Sequence, residues 1–233
     1  MSLKEIFSKV DSFLFEKILK FQNNIQGINF EIGVYKGSSL EAIAKNDKTN
    51  DCFGLDIFDE FLFNDNYIND AKLVEQNYSN VKLIKSDSNQ FDFSVYHNKV
   101  KFFHIDGNHQ GKFVKKDIEN AIECLTEDGI LILDDFNNKL FPDIAKAFYK
   151  TESDFIPLIL SLNKAYFVRK SAFDKYYKFI ESIINELKII FPQNFIIKTI
   201  NSLEENYFVL VEYYYILNDK NKKEYEIIYG PMQ

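Results

Sequence analysis

Apolar residues recur along this chain with two different periods. One returns every three to four positions and marks amphipathic helices; the other is a short unbroken run that suits a strand buried on both faces. Residues 3–23 open with the helical kind, placing Leu3, Ile6, Phe7, Val10, Phe13, Leu14, Ile18 and Phe21 on one side. Strand-like runs follow at 28–34, 52–58, 81–88, 100–105 and 130–133, separated by helical spacing at 40–45, 66–79, 111–125 and 144–149 and by a short connection at 90–97. Glu127-Asp128-Gly129 reads as the turn into the fifth strand. Two more runs, at 155–160 and 165–168, are joined only by Ser161-Leu-Asn-Lys164, which predicts an antiparallel hairpin. The whole predicts an α/β fold: a Rossmann-like, doubly wound, seven-stranded sheet with helices on both faces and an antiparallel last hairpin at its edge.

Beyond residue 170 the pattern changes. Residues 172–191 are amphipathic and stop at Pro192; 195–200, 207–217 and 224–229 read as strands, with a turn at 218–221. The chain thus divides into an N-terminal helix (1–26), a main domain (27–170) and a C-terminal α+β extension (171–233) that either mediates dimerisation or roofs the site.

Candidate chemistry sits where the strand-like runs end. The run at 100–105 stops in Asp106-Gly-x-His109, and the run at 130–133 stops in Asp134-Asp135. Open parallel sheets bind ligands just beyond the carboxyl ends of their strands. If these two strands are neighbours, three carboxylates and one imidazole share a rim. Clustered carboxylates repel, so a cation or a lysine is expected beside them. Carboxylate ligands favour Mg²⁺, Mn²⁺ or Ca²⁺ over zinc. His109, with an ordinary pKa of about 6.5, suits proton abstraction. His104, inside a strand, reads as a packed residue.

The first strand leads into Glu31-x-Gly33-x-x-x-Gly37-Ser38-Ser39. Glycines in a strand-to-helix turn let backbone approach a ligand, and Ser38 or Ser39 can cap the helix that follows. The turn is neither a G-x-G-x-x-G fingerprint nor a P-loop. Asp56 lies 23 residues beyond Gly33, a spacing that suits a ribose diol.

Composition narrows the field. The net charge of −7 argues against a nucleic-acid surface. Two cysteines, Cys52 and Cys124, fall in apolar patterns and read as buried thiols, not a disulfide framework. No apolar run approaches the ~20 residues of a membrane span, and residues 1–5 lack a signal-peptide core. A cytoplasmic protein without membrane partners is expected.

On Glu31-x-Gly33-x-x-x-Gly37-Ser38, Asp106-Gly-x-His109 and Asp134-Asp135, the chain resembles the class I S-adenosylmethionine-dependent methyltransferases over residues 27–170. Within them it is most similar to small-molecule O-methyltransferases acting on sugars and antibiotics, including metal-dependent macrolide-sugar enzymes. The resemblance implies that Glu31 and Gly33 meet the methionine end of the cofactor, with Tyr35, Gly37, Ser38 and Ser39 in the same loop. It implies that Asp56 binds the ribose, that Asp87 and Ser88 mark the adenine site, and that Ile57 or Phe58 packs on the adenine ring. Asp106, Asp134 and Asp135 would ligate a divalent metal, Mg²⁺ or else Mn²⁺ or Ca²⁺, and His109 would be the base. Two positions depart from the pattern: Asn108 stands where many relatives carry an acid, and Asp134 where many carry glutamate. The implied acceptor is a hydroxyl on a sugar-like small molecule, and the implied assembly a homo-oligomer. Phe61, Phe63, Tyr67 and Tyr35 are candidates to stack on the acceptor. A nicotinamide-dependent oxidoreductase and a non-catalytic cofactor-binding module are the competing readings; the first lacks its glycine fingerprint, and the second is disfavoured by the presence of Asp106 and His109.

Overall fold

The computed structural model describes residues 9–59, 67–161, 163–190, 195–201 and 206–212. Phe61, Phe63, the turn at 218–221 and the strand expected at 224–229 lie outside these residues, as does the whole stretch beyond Glu212. Helices are α1 (Lys9–Gln22), α2 (Ser38–Asn46), α3 (Ile68–Asn77), α4 (Gly111–Cys124), α5 (Asp143–Lys150) and α6 (Phe173–Ile190). Strands are β1 (Ile28–Ile32), β2 (Cys52–Asp56), β3 (Val81–Lys85), β4 (Val100–Ile105), β5 (Leu125–Leu133), β6 (Phe155–Leu160), β7 (Ala165–Arg169), β8 (Phe195–Asn201) and β9 (Asn206–Glu212).

The sheet runs β3-β2-β1-β4-β5-β7-β6-β9-β8. From β3 to β5 all pairings are parallel, and β7 enters antiparallel to both β5 and β6. The seven expected strands are therefore present in a doubly wound order with a reversed last hairpin. That hairpin is not the edge, however. The outer side of β6 pairs in parallel with β9, through Ile159↔Phe208 and Leu160↔Val209, and β8 completes the sheet. Unpaired backbone groups on a bare strand edge invite such addition.

Strand alternation sorts the core into two layers. In β4, Phe102 faces the layer that holds α1, α2, α3 and α6, while Phe103 and Ile105 face the layer that holds α4 and α5. Burial on both faces explains why β4 and the second half of β5 read as unbroken apolar runs. One expected turn is absent. Glu127-Asp128-Gly129 lies within β5 as a bulge, since Val100 pairs with Leu125 and Phe102 with Ile130. The bulge absorbs the extra residues without breaking the ladder. Cys52 and Cys124 are buried free thiols, as their patterns predict.

The order reverses between β1 and β4, whose neighbours lead away in opposite directions. Crevices at such switch points are where α/β sheets hold ligands.

Candidate active site

The strand tips align closely. Asp106 N donates to Ile32 O at 2.8 Å and Asp134 N to Ile105 O at 3.0 Å. Gly33 makes this approach possible. It holds a φ of 86°, and a Cβ there would lie 2.0 Å from the Asp106 carbonyl oxygen. Gly37 is also left-handed, at φ 87°, and is itself the N-cap of α2. The expected serine caps do not form: no side chain caps this helix.

A cleft of about 370 Å³ opens beyond the tips of β1, β2, β3 and β4, a size typical of small-molecule sites. Gly33, Tyr35, Ser38, Ser39, Asp56, Ile57, Asp87, Ser88 and Asp106, all expected there, line it, whereas Gly37, also expected, does not. Lys36, Ser86, Asn89 and Phe113 are further lining residues that the sequence reading did not single out.

Three expected contacts are placed differently. Phe58 is buried against Tyr67, at 5.8 Å between ring centroids, and leaves the cleft wall to Ile57. Glu31 is fully buried beneath the wall and bonds His104 Nδ1 at 2.7 Å. Asp56 spends its oxygens on the loops around it. Its Oδ2 accepts from the backbone N of Val34 and of Tyr35, both at 2.8 Å; its Oδ1 accepts from Phe58 N at 2.8 Å and from the Tyr67 hydroxyl at 3.3 Å. Those four bonds fill a carboxylate's capacity. Tyr35 and Phe58 are left-handed non-glycine residues, at φ 49° and 45°, so Asp56 holds two strained turns in place. At the far end, Asp87 caps its own turn by accepting from Asn89 N at 2.9 Å.

The acidic end of the cleft lies across Asp106. One ligand atom each from Asp106, His109 and Asp135 falls within 4.8 Å of the others. His109 Nε2 is 3.3 Å from Asp135 Oδ2 and 3.9 Å from Asp106 Oδ1. The ring stacks on Phe141 at 4.1 Å and 21°, which fixes its plane, and its Nε2 is buried without a hydrogen-bond partner. Asp135 adopts φ 53°, a strained backbone for a non-glycine residue. An orphaned imidazole nitrogen facing two carboxylates is a donor set that suits a divalent cation.

Burial, with the Asp134 carboxylate beside it, pushes Asp106 up to about 7. His109 is raised, chiefly by the facing Asp106 carboxylate. Burial also pushes Asp134 upward, but the Lys164 ammonium reverses this and brings it down to about 2. Lys164 Nζ lies 2.8 Å from Asp134 Oδ1 and is 2% exposed. It is the cation that the clustered acids call for. Lys164 thus engages one oxygen of Asp134, while the group close enough together to hold an ion is Asp106, His109 and Asp135. His104 is packed, as expected, yet it is also wired. Its Nε2 faces Lys164 Nζ at 3.2 Å. An ammonium only donates, so Nε2 accepts and Nδ1–H donates to Glu31. Burial, and then Lys164, lower its pKa to about 3. The sequence carries no local signal for the role of Lys164, because its partners lie 30 and 60 positions away.

Strand order, reversed hairpin and glycine loop define a class I methyltransferase fold, and residues 30–136 match the family model described as a methyltransferase domain. That match and the fold together favour the methyltransferase reading over the nicotinamide one. It is similar in fold to the apo structure of CalS11, a TDP-rhamnose 3'-O-methyltransferase of calicheamicin biosynthesis, at 18% identity, covering 69% of this chain and 79% of that one, TM-score 0.57. It is similar as well to a putative caffeoyl-CoA O-methyltransferase from Staphylococcus aureus, at 16% identity, 70% and 84% coverage, TM-score 0.55. The Podospora anserina methyltransferase PaMTH1, solved with S-adenosylhomocysteine bound, matches at 15% identity, 70% and 80% coverage, TM-score 0.53. No curated protein sequence matches the chain. Among the described residues no helix is long and apolar enough to cross a membrane.

Proposed function

We propose that the protein transfers a methyl group from S-adenosylmethionine to a hydroxyl of a sugar or similar polyhydroxylated small molecule, assisted by a divalent cation. The observation that carries this reading is the convergence of Asp106, His109 and Asp135 beside the cleft.

The cofactor supplies an electrophilic methyl on a sulfonium, and a bound divalent cation lowers the pKa of the acceptor hydroxyl. Asp106 and Asp135 would hold that cation. The rest is the work of the chain. The glycine loop and the β2 and β3 tips bind the cofactor, with a ribose contact at Asp56 replacing the Tyr67 hydroxyl, its longest partner. Alignment of nucleophile and leaving group contributes on the order of 7–11 kcal/mol in favourable cases. His109 Nε2 takes the proton from the acceptor hydroxyl, and the carboxylate of Asp135, 3.3 Å away, stabilises the resulting imidazolium. Tyr35, 40% exposed at the cleft, would stack on the acceptor.

Calorimetric titration with S-adenosylhomocysteine, with NAD as control, tests the cofactor. Micromolar binding of the former alone is expected, and binding of NAD in its place would overturn the reading. His109→Ala is expected to lower turnover by about 10²-fold or more while leaving S-adenosylhomocysteine affinity within a few-fold. Equal turnover would remove His109 as base.

A further inference from the structure

One buried acid takes no part in the rim of carboxylates. Asp117 lies on the inner face of α4, among Val114, Ile118 and Ala121, and is fully buried. Among the described residues neither of its carboxylate oxygens has a hydrogen-bond partner. Leaving a buried carboxylate unpaired is costly and calls for a reason beyond packing. Asp117 sits directly behind the cleft. Its Oδ2 is 3.7 Å from where a Cβ on Gly107 would stand, and Gly107 lines the cleft at the β4 tip. Close to it as well is the hydroxyl of Ser88, which favours the charged carboxylate and lines the cleft at the β3 tip. The two stop short of a hydrogen bond in this structure.

The hydrogen bonds already made at the β3 tip decide what Ser88 can offer. Asp87 is engaged on its own turn: Oδ1 accepts from Asn89 N at 2.9 Å and Oδ2 from Gln90 Nε2 at 3.3 Å. Ser88 Oγ accepts from Asn89 Nδ2 at 3.4 Å, which uses one of its two lone pairs. One lone pair and the hydroxyl proton remain. A carboxylate only accepts, and Asp117 is a buried acceptor beside that hydroxyl with nothing yet to accept. Rotation of the hydroxyl gives the proton to Asp117. Ser88 then shows the cleft a lone pair and no proton.

We propose that Asp117 is a positioning residue for purine selection: it takes the Ser88 hydroxyl proton and makes the Ser88 oxygen an obligate acceptor for the 6-amino group of the cofactor's adenine. That amino group carries two N–H donors, so a contact at Asp87 and one at Ser88 are compatible. Hypoxanthine, the deaminated base, carries a carbonyl oxygen there and would meet Ser88 lone pair against lone pair. Without Asp117 the hydroxyl turns to suit either base. The unpaired charge thus serves discrimination, because a fixed polar group left unmatched penalises the wrong ligand. In sequence the residue is hidden, since Lys115-Lys116-Asp117 reads as the solvated face of a helix.

The inference rests on the cofactor reading, since Ser88 meets adenine only if S-adenosylmethionine fills the cleft, and the test separates the two. Binding of S-adenosylhomocysteine and of its deaminated form, S-inosylhomocysteine, to the full chain is measured by calorimetry at pH 8, above the value of about 6 to which burial raises Asp117. The ratio of the two affinities is the readout, because damage to the fold weakens both alike. Wild type is expected to prefer the adenine form by about 30-fold or more. Asp117→Leu is expected to cut that ratio about tenfold, and Asp117→Asn, which keeps an acceptor oxygen for the hydroxyl, to hold it within about threefold. Ser88→Ala is expected to cut the ratio as far, and adding Asp117→Leu to it to change nothing more, because Asp117 acts through that hydroxyl. A folded Asp117→Leu with the wild-type ratio overturns the proposal, as does a further fall in the double variant. If Asp117→Leu does not fold, Asp117→Ala decides by the same ratio. Equal binding of both compounds by wild type overturns the proposal and leaves the cofactor reading standing; binding of neither overturns the cofactor reading and the proposal with it.

Discussion

Single residues carry the shape of the cofactor loop. Gly33→Ala would place a methyl group 2.0 Å from the Asp106 carbonyl oxygen at a φ of 86°. A loss of about 3 kcal/mol or more is expected in urea denaturation, summing backbone strain and overpacking. Asp117 on α4 makes a second case. Both its oxygens are buried without a hydrogen-bond partner. Burial pushes its pKa up to about 6, against the favourable influence of the Ser88 hydroxyl. An acid whose folded pKa exceeds its unfolded value lowers stability as pH rises from the unfolded value to the folded one, and the loss then levels off. Asp117→Asn is therefore expected to stabilise the protein at pH above about 6, by on the order of 1–3 kcal/mol, and to change little below about pH 4. Denaturant melts at both pH values check this; equal effects at the two would reject it. The need for Gly33 was legible in the sequence as a glycine turn. The isolation of Asp117 was not, because it depends on what α4 is packed against.

Elements are fastened by buried polar pairs as well as by apolar faces. Lys101 on β4 and Asp47 after α2 form an ion pair at 2.8 Å with neither side chain exposed. Lys101 also donates to the backbone oxygens of Gln22, the last residue of α1, and Ile25, just past it, at 3.0 and 3.2 Å. Gln22 Nε2 returns a bond to Lys101 O at 2.6 Å and another to the Tyr176 hydroxyl of α6 at 2.8 Å. One lysine thus ties the sheet to α1 and α2, with α6 reached through Gln22. Lys101→Met leaves Asp47 as a buried carboxylate without its cation, and a cost of about 3–5 kcal/mol is expected. Thermal melts measure it, and a shift of under a degree would contradict the argument. Helix and strand periods located these elements to within a few residues. They gave no sign of the pair, since a lysine within an apolar run looks like an outward-facing residue until its partner is known.

At the scale of the whole molecule, the proposed function makes the site depend on how protons and a cation share a rim of acids. Burial and the nearby Asp134 raise Asp106 to about 7, so below neutrality a cation must displace a proton to bind. Apparent Mn²⁺ affinity is expected to rise about tenfold per pH unit up to near pH 7 and to flatten above it. Titrations on either side of neutrality test this, and a flat profile throughout would contradict it.

The order of β and α elements, the reversed hairpin, the glycine loop and the Asp-Gly-x-His and Asp-Asp tips were all set by the sequence itself. Each is a local matter of periodicity, turn chemistry or the residue that ends a strand. Tertiary structure alone decided that β9 and β8 extend the sheet past β6, that Asp56 is spent on holding Tyr35 and Phe58, and that Lys164 engages one oxygen of Asp134 while His109 turns to Asp106 and Asp135. Those outcomes are choices among partners far apart in the chain, and they depend on which charges and backbone groups are brought close together and shut away from water.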